Sequence, residues 1–412
     1  MLSRRQLMND KIVSAQGENL SLVNVKGSKL NALSVYGKST QSGTPSPENP
    51  VPIVSAGDDG EINVTVQGGN LVDLNASVIM SGNLTYSYDG YTATLTTVLT
   101  EEDLTDLAPA NNRIYRNVSI QLGDDFAGKT VTISYDSAEI MFDMEQIIGL
   151  VYTDDSGTAI YNHLASNIES KSLTIAIPDT ATNIRFRIML IEVNSPIENL
   201  TPGTYTAKIN GIMLALGTSK LPWMPYKLPQ TLTLQTPNGL PGIPVDSGGN
   251  YTDESGQQWI CDEIDLKRGK YVQRVGKTVV DGLEIKFVAD SSGGFWNLPP
   301  QSAPGILEQR IAISKYFPID VFAGNITYSF LFTTPTRMSP YFSLVDELNA
   351  FCVEKNAEGN PLIIYYPMDP IETDLPAEEI AAYKALHTYS PATTASNDAG
   401  AWMKVGYREW RR

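Results

Sequence analysis

From about residue 68 to 230 the chain repeats one pattern, a short run of alternating apolar and polar residues followed by a turn. The runs read NLTYSYDGYTATL, YRNVSIQL, KTVTISYDS, IIGLVYTDDSG, SLTIAIPDTATNIRFRIMLI and GTYTAKINGIMLALG. A period of two places every second side chain on one face of a strand, and runs this short, joined by turns such as Asp89-Gly90, pair antiparallel. The pattern predicts a β-sandwich or jelly roll over residues 68–230. It also predicts the core: Val131, Ile133 and Tyr135 share one face, and Ile184, Phe186, Ile188 and Leu190 share another, with Arg185 and Arg187 pointing away.

The flanks differ from this unit. In LSLVNVKGSKLNALSVYG the alternation runs from Leu20 to Val25, breaks at Lys-Gly-Ser and resumes from Leu30 to Tyr36, which is a hairpin pattern. Pro45, Pro47, Pro50 and Pro52 follow in TQSGTPSPENPVPI, a strap expected to be extended and to have no ladder of its own. Residues 1–67 thus read as an N-terminal attachment hairpin and Pro-rich strap. Residues 231–276 read as a β-ribbon connector, in which QWICDEIDL and KYVQRV pair across the turn Lys267–Gly269. Residues 277–412 read as a small α+β tip domain. Its strands are GLEIKFVAD, NITYSFLF, NPLIIYYPM and the final AWMKVGYREW. One helix carries Leu344, Leu348, Phe351 and Cys352 on a face, and a second begins with Pro376 in its first turn and Glu378 and Glu379 at the positive end of its dipole. The chain as a whole is mainly β.

Hydrophobic residues make up 42% of the 412 and charged residues 18%, the balance of a globular chain. A formal charge of −16 argues against nucleic acid as a partner, because phosphate-binding surfaces need clustered Lys and Arg. The start, MLSRRQLMNDKIVSAQG, has no apolar run of signal-peptide length, and no stretch approaches the roughly 18 apolar residues of a membrane span. Synthesis in the cytoplasm without membrane insertion is the expectation. Cys261 and Cys352 are isolated and read as half-buried thiols.

No nucleophile elbow, phosphate loop or zinc-protease motif is present, and the two histidines, His163 and His387, are far apart in sequence. The adjacent carboxylates Asp58-Asp59, Asp124-Asp125, Asp154-Asp155 and Glu378-Glu379 read as turns or helix starts, since neighbours on a strand point to opposite faces. The chain is therefore expected not to be an enzyme and to hold no cofactor. One oxygen-rich turn, Tyr152–Gly157, has the composition of a structural calcium site but reads first as an Asp-Ser-Gly turn. Aromatic residues that could stack on sugar rings are Tyr86, Tyr88, Tyr91 and Tyr115 in the sandwich, and Phe295 and Trp296 at the end of the loop DSSGGFW.

Four ordered segments carry a resemblance: TQSGTPSPENPVPI, INGIMLALGTSKLPWMPY, the connector GIPVDSGGNYTDESGQQWICDEIDLKRGKYVQRVG, and LPAEEIAAYKALHTYSPATTASNDAGAWMKVGY. They are similar to segments of tail-tip, baseplate and receptor-binding proteins of bacteriophages and prophages of Gram-positive bacteria. The sandwich resembles carbohydrate-binding jelly rolls that end on a W-x-P-Y phrase, here Trp223, Pro225 and Tyr226, which would close the sandwich. Trp402 departs from the commoner terminal segment, which has no bulky aromatic there. The resemblance implies a virion protein, assembled in the host cytoplasm, that contacts other tail or baseplate proteins and binds host cell-surface polysaccharide. Its alternatives are a glycan-degrading tail enzyme and a purely architectural tail protein. Because an isolated ribbon and a Pro-rich strap need an outside surface, a homotrimer is expected, in which Ile243, Val245, Trp259, Ile260 and Tyr271 lose exposure to neighbouring chains.

Overall fold

The computed structural model describes residues 11–105, 115–140, 146–165, 169–192, 201–280, 286–290, 293–297, 313–316, 331–332 and 345–409. The chain is mainly β, with its strands layered in sandwich-like arrangements. One hydrophobic core draws only on residues between Leu71 and Leu216. On one side of it lies a five-stranded sheet in the order Ala159–Ala165, Gln146–Thr153, Thr182–Glu192, Tyr115–Gln121, Val78–Met80. The facing layers are a three-stranded sheet centred on Thr130–Ser134 and a four-stranded sheet centred on Gly203–Asn210 and Thr92–Leu99. Val131, Ile133, Tyr135, Ile184, Phe186, Ile188 and Leu190 are all buried, as their alternation requires.

This sandwich is an insertion. The strand Glu61–Gly68, which leads into it, pairs antiparallel with Gln230–Gln235, which leaves it. Both belong to a second body assembled from three separated stretches of chain. Its seven-stranded sheet runs Lys11–Gly17, Trp402–Glu409, Ala32–Tyr36, Glu263–Asp265, Lys270–Val280, Leu362–Asp374, Ile313–Ser314. Its four-stranded sheet runs Gln230–Gln235, Glu61–Gly68, Ala392–Asn397, Leu20–Val23. Leu22, Leu33, Val35, Ile62, Val64, Leu234, Ile264, Met403 and Val405 share one core, capped by Tyr383 and Leu386 at the end of the helix Ala377–Ala385.

This arrangement corrects several expectations. The two halves of LSLVNVKGSKLNALSVYG do not form a hairpin: Leu20–Val23 pairs with Ala392–Asn397, and Ala32–Tyr36 lies between Trp402–Glu409 and Glu263–Asp265. Residues 1–67, 231–276 and 277–412 are accordingly not successive domains, because hydrogen bonding joins parts of all three into one body. The strap does have a ladder: Ser39–Thr40 pairs with Val54–Ser55, with the two serine hydroxyls 2.9 Å apart. Gln41 Nε2 donates to the carbonyls of Val51 and Ser314, and Val51 N donates to Lys315 O, so the loop is fastened to its own chain.

The connector pairs as expected across its turn, Glu263–Asp265 with Lys270–Val272. Its apolar face, however, is covered within the chain. Ile243, Val245 and Ile260 are buried against Val275, Ile313 and Tyr365, and Trp259 packs edge-on to Trp402 with centroids 4.8 Å apart. The need for a neighbouring chain to cover these residues disappears. DSSGGFW is not simply a loop either, since Gly293–Asn297 is a strand paired with Lys286–Asp290. The helix Val345–Ala357 buries Leu348 and Cys352, whereas Leu344 lies outside the described residues. Pro376 stands at the N-cap of the second helix, one position earlier than expected. Of NITYSFLF only Leu331–Phe332 lies within the described residues, as a strand.

Candidate functional site

Where the inserted sandwich meets the second body, a cleft of about 530 Å³ opens between Asp73, Asn75, Tyr88, Gly90, Tyr226, Leu228 and Tyr389. Each wall has a local cause. Tyr88 ends the strand Leu84–Tyr88, and the turn that follows is set by Asp89, whose carboxylate accepts from the amides of Tyr91 and Thr92 at 3.0 and 2.7 Å. Gly90 takes φ 98° in that turn, a conformation other residues avoid. Asp73 makes its own turn, with Oδ1 accepting from Asn75 N at 2.9 Å. Tyr389 belongs to the second body. Its hydroxyl donates to Leu228 O at 2.9 Å and accepts from Gln230 Nε2 at 3.0 Å, which ties the chain leaving the sandwich to the segment before Ala392–Asn397.

Burial, reinforced by the charges of Asp89 and Asp73, pushes the Tyr88 phenol up to about 12. Burial and Asp73 also push Tyr226 upward. Both phenols therefore stay protonated at neutral pH and can donate. Three half-buried tyrosines beside a carboxylate and a carboxamide form a set suited to a sugar, with rings for its C–H faces and polar groups for its hydroxyls. Leu228, 77% exposed, forms an apolar lip.

The sequence-predicted aromatics are dispersed. Tyr88 lines the cleft, while Tyr86 is committed to the fold: its ring packs on the sandwich core and its hydroxyl donates to Leu74 O at 2.8 Å. Tyr91 is exposed, packs edge-on to Trp223 at 4.8 Å between centroids, and its hydroxyl donates to Asp136 at 3.2 Å. Tyr115 opens the strand Tyr115–Gln121, and Phe295 and Trp296 lie in Gly293–Asn297; the side chains of these three fall outside what is described. Tyr226, expected to close the sandwich, lines the cleft instead, and Trp223 packs beside Met213, Leu221 and Met224. Sequence reasoning missed Tyr389 and Asp73. Asp73 sits in a turn of the sandwich with no motif around it, and Tyr389 reaches Tyr88 only because the second body is brought against the sandwich.

A second cleft, of about 570 Å³, lies between Glu18, Lys38, Lys129, Asp253, Trp259 and Trp402. Its polar groups are largely engaged with one another. Lys38 pairs with Glu18 at 2.5 Å, and Asp253 accepts from Ser255, Gln257 and the Trp259 indole. Trp402 is buried against Tyr251, stacked at 4.7 Å.

The turn Tyr152–Gly157 is held by Asp154 Oδ1, which accepts from the amides of Ser156 and Thr158 and from the Ser156 hydroxyl. Those bonds hold its carboxyl below the usual range. The other carboxylate pairs sit as structural groups. Asp58 accepts from Ser55 N, Asp125 pairs with Lys129 at 3.9 Å, and Glu379 accepts from Gln235 N. His163 lies in the sandwich and His387 in the second body, where it packs against Tyr389.

No protein-family model matches the chain, and no curated protein does. Among solved structures it is similar to the C-terminal family 22 carbohydrate-binding module of Clostridium thermocellum Xyn10B, at 17% identity and a TM-score of 0.18 over 38% of this chain and 88% of that one. It is also similar to a xylan-binding domain of carbohydrate-binding module family 22, at 16% identity and a TM-score of 0.17 over 44% of this chain and 97% of that one.

Proposed function

We propose that this chain is a non-catalytic structural component of a phage or prophage tail tip or baseplate, which attaches to host-surface polysaccharide through the tyrosine-lined cleft. The observation that carries the reading is the cleft itself: Tyr88, Tyr226 and Tyr389 meet Asp73 and Asn75 around a space of about 530 Å³. A tail role is supported by the resemblance of four ordered segments, three of them in the body that holds the sandwich and one, INGIMLALGTSKLPWMPY, starting within the inserted sandwich itself. The protein then belongs to the virion, and its assembly as a homotrimer is part of the proposal.

The test is co-sedimentation of the purified chain with cell walls of a Gram-positive host. The parent is expected to bind, and Tyr88→Ala and Tyr226→Ala each to weaken binding about tenfold, the equivalent of about 1.4 kcal/mol for one lost aromatic wall. Release of reducing ends from the wall polysaccharide would overturn the non-catalytic reading, and absence of wall binding would overturn attachment. The mass of the purified chain in solution decides the trimer separately.

A further inference from the structure

The tyrosine cleft carries a negative charge that the chain does not neutralise. Asp73 lines it and is half-buried. Its Oδ1 accepts from Asn75 N, while Oδ2 has no hydrogen-bond partner and the carboxylate no ion pair among the described residues. Lys227 lines the same cleft without pairing with Asp73. Its stem lies along Gly68, and the residue is exposed, so its ammonium can extend into water. A partly buried carboxylate is stabilised by a cation placed against it, and here that place is left to something outside the chain.

The walls favour the same kind of visitor. Tyr88 ends a strand of the sandwich and Tyr226 stands on the segment that leaves it, and neither phenol hydroxyl has a hydrogen-bond partner among the described residues. Tyr389 lines the cleft from the second body. Burial raises the phenols of Tyr88 and Tyr226, and the charge of Asp73 adds to both shifts, so its field reaches both rings. Asp89 adds a second negative charge beside Tyr88. The face of an aromatic ring is itself electron-rich. Rings and carboxylates together attract a positive charge and oppose a negative one.

We propose that the cleft selects saccharides bearing a positively charged nitrogen, an ammonium or a quaternary ammonium substituent, held by Asp73 against the rings of Tyr88 and Tyr226. An ammonium N–H can donate to Asp73 Oδ2, and a quaternary nitrogen, which has no N–H, is held by charge and by the ring faces. The Asn75 amide in the same lining suits a neighbouring sugar hydroxyl. A neutral sugar offers Asp73 hydroxyl donors alone, and an acidic one sets a second negative charge against it. The inference rests on the reading that this cleft binds surface glycan, and it names the class of glycan.

Isothermal titration of the full chain with a glucosamine hexamer, its N-acetylated counterpart and choline tests it, at a mildly acidic pH that keeps the hexamer's amines charged. The glucosamine hexamer should bind about tenfold or more tighter than the neutral one, the worth of a charge-assisted hydrogen bond, and lose that advantage as salt is added. Choline binding assigns the site to a quaternary ammonium group, and a preference for the glucosamine hexamer without choline binding assigns it to an amino sugar. Asp73→Asn keeps the turn to Asn75 and should weaken the cationic ligand about ten- to a hundredfold. Tyr226→Leu removes a ring and should weaken it several-fold, and this variant carries the test if Asp73→Asn fails to fold. The proposal is overturned if choline does not bind and the glucosamine hexamer binds no better than its neutral counterpart, or if the folded variants keep the parent's affinity for the cationic ligand. Cell-wall binding that still depends on Tyr88 would then leave the proposed function standing and remove this inference alone.

Discussion

Asp262 is 1% exposed, and its carboxylate accepts three hydrogen bonds. Oδ1 accepts from the amides of Arg274 and Val275 at 2.7 and 2.8 Å, and Oδ2 accepts from the Tyr271 hydroxyl at 2.5 Å. Those two amides sit where the pairing of Lys270–Val280 with Leu362–Asp374 slips register between Gln273 and Val275, so the carboxylate serves donors that the irregular ladder leaves over. Burial nonetheless dominates and raises the carboxyl from 3.8 to about 6, against the pull of its donors and of the Arg274 charge. The folded state therefore holds this proton more tightly than the unfolded chain does. Its contribution to stability falls as pH rises from about 4 to 6, by about 1.4 kcal/mol per pH unit at most, and is level above that. Asp262→Asn keeps an acceptor for the amides and removes the titration. Urea unfolding from pH 4 to 7 should show the variant gaining on the parent through that window; parallel curves would mean the carboxyl titrates near its ordinary value. DEIDLKRGKY identifies the hairpin in the sequence, but nothing in it marks Asp262 as the residue that turns inward.

Along the strands, alternation made burial legible and left pairing illegible. Leu20 and Leu22, Ile62, Val64 and Val66, and Leu33 and Val35 are all buried as a period of two requires. Their partners, in contrast, lie as far away as Ala392–Asn397 and Trp402–Glu409, and a period of two carries no information about which strand supplies the neighbouring hydrogen bonds. The candidate site follows the same logic. Tyr88 was legible as an aromatic on a strand, whereas Tyr389 enters only because distant segments are brought together. Glycines mark one junction where long-range elements meet. The backbones at Gly37 and Gly242 approach so closely that a Cβ on either would strike the other segment, while Gly37 N donates to Asp262 O at 2.8 Å and Lys38 N to Leu240 O at 3.1 Å. Gly37→Ala should cost about 1–3 kcal/mol, the range for an overpacked interior, read as a lower urea midpoint at unchanged slope. A variant as stable as the parent would show that the two segments can part at little cost.

At the scale of the whole molecule, the order of segments along the chain and the order of folding units differ. The core of the sandwich is complete between Leu71 and Leu216, and its entry and exit strands lie side by side as Glu61–Gly68 and Gln230–Gln235. An insertion with adjacent ends can fold before, or without, the body that holds it. That body has no such independence. Ala32–Tyr36 sits inside its seven-stranded sheet between Trp402–Glu409 and Glu263–Asp265, and Glu61–Gly68 sits inside its four-stranded sheet between Gln230–Gln235 and Ala392–Asn397. Removing residues before 69 takes interior strands from both layers at once and exposes Leu232, Leu234, Met403 and Val405, each worth about 1.5–3 kcal/mol when buried. A fragment of residues 69–229 is thus expected to melt cooperatively and to give dispersed amide resonances. A fragment of residues 230–412 is expected to give neither, and to recover both when residues 11–68 are supplied as a separate chain. Cooperative melting of the 230–412 fragment alone would mean that its strands find other partners, and that the N-terminal stretch is an attachment appended to a finished domain.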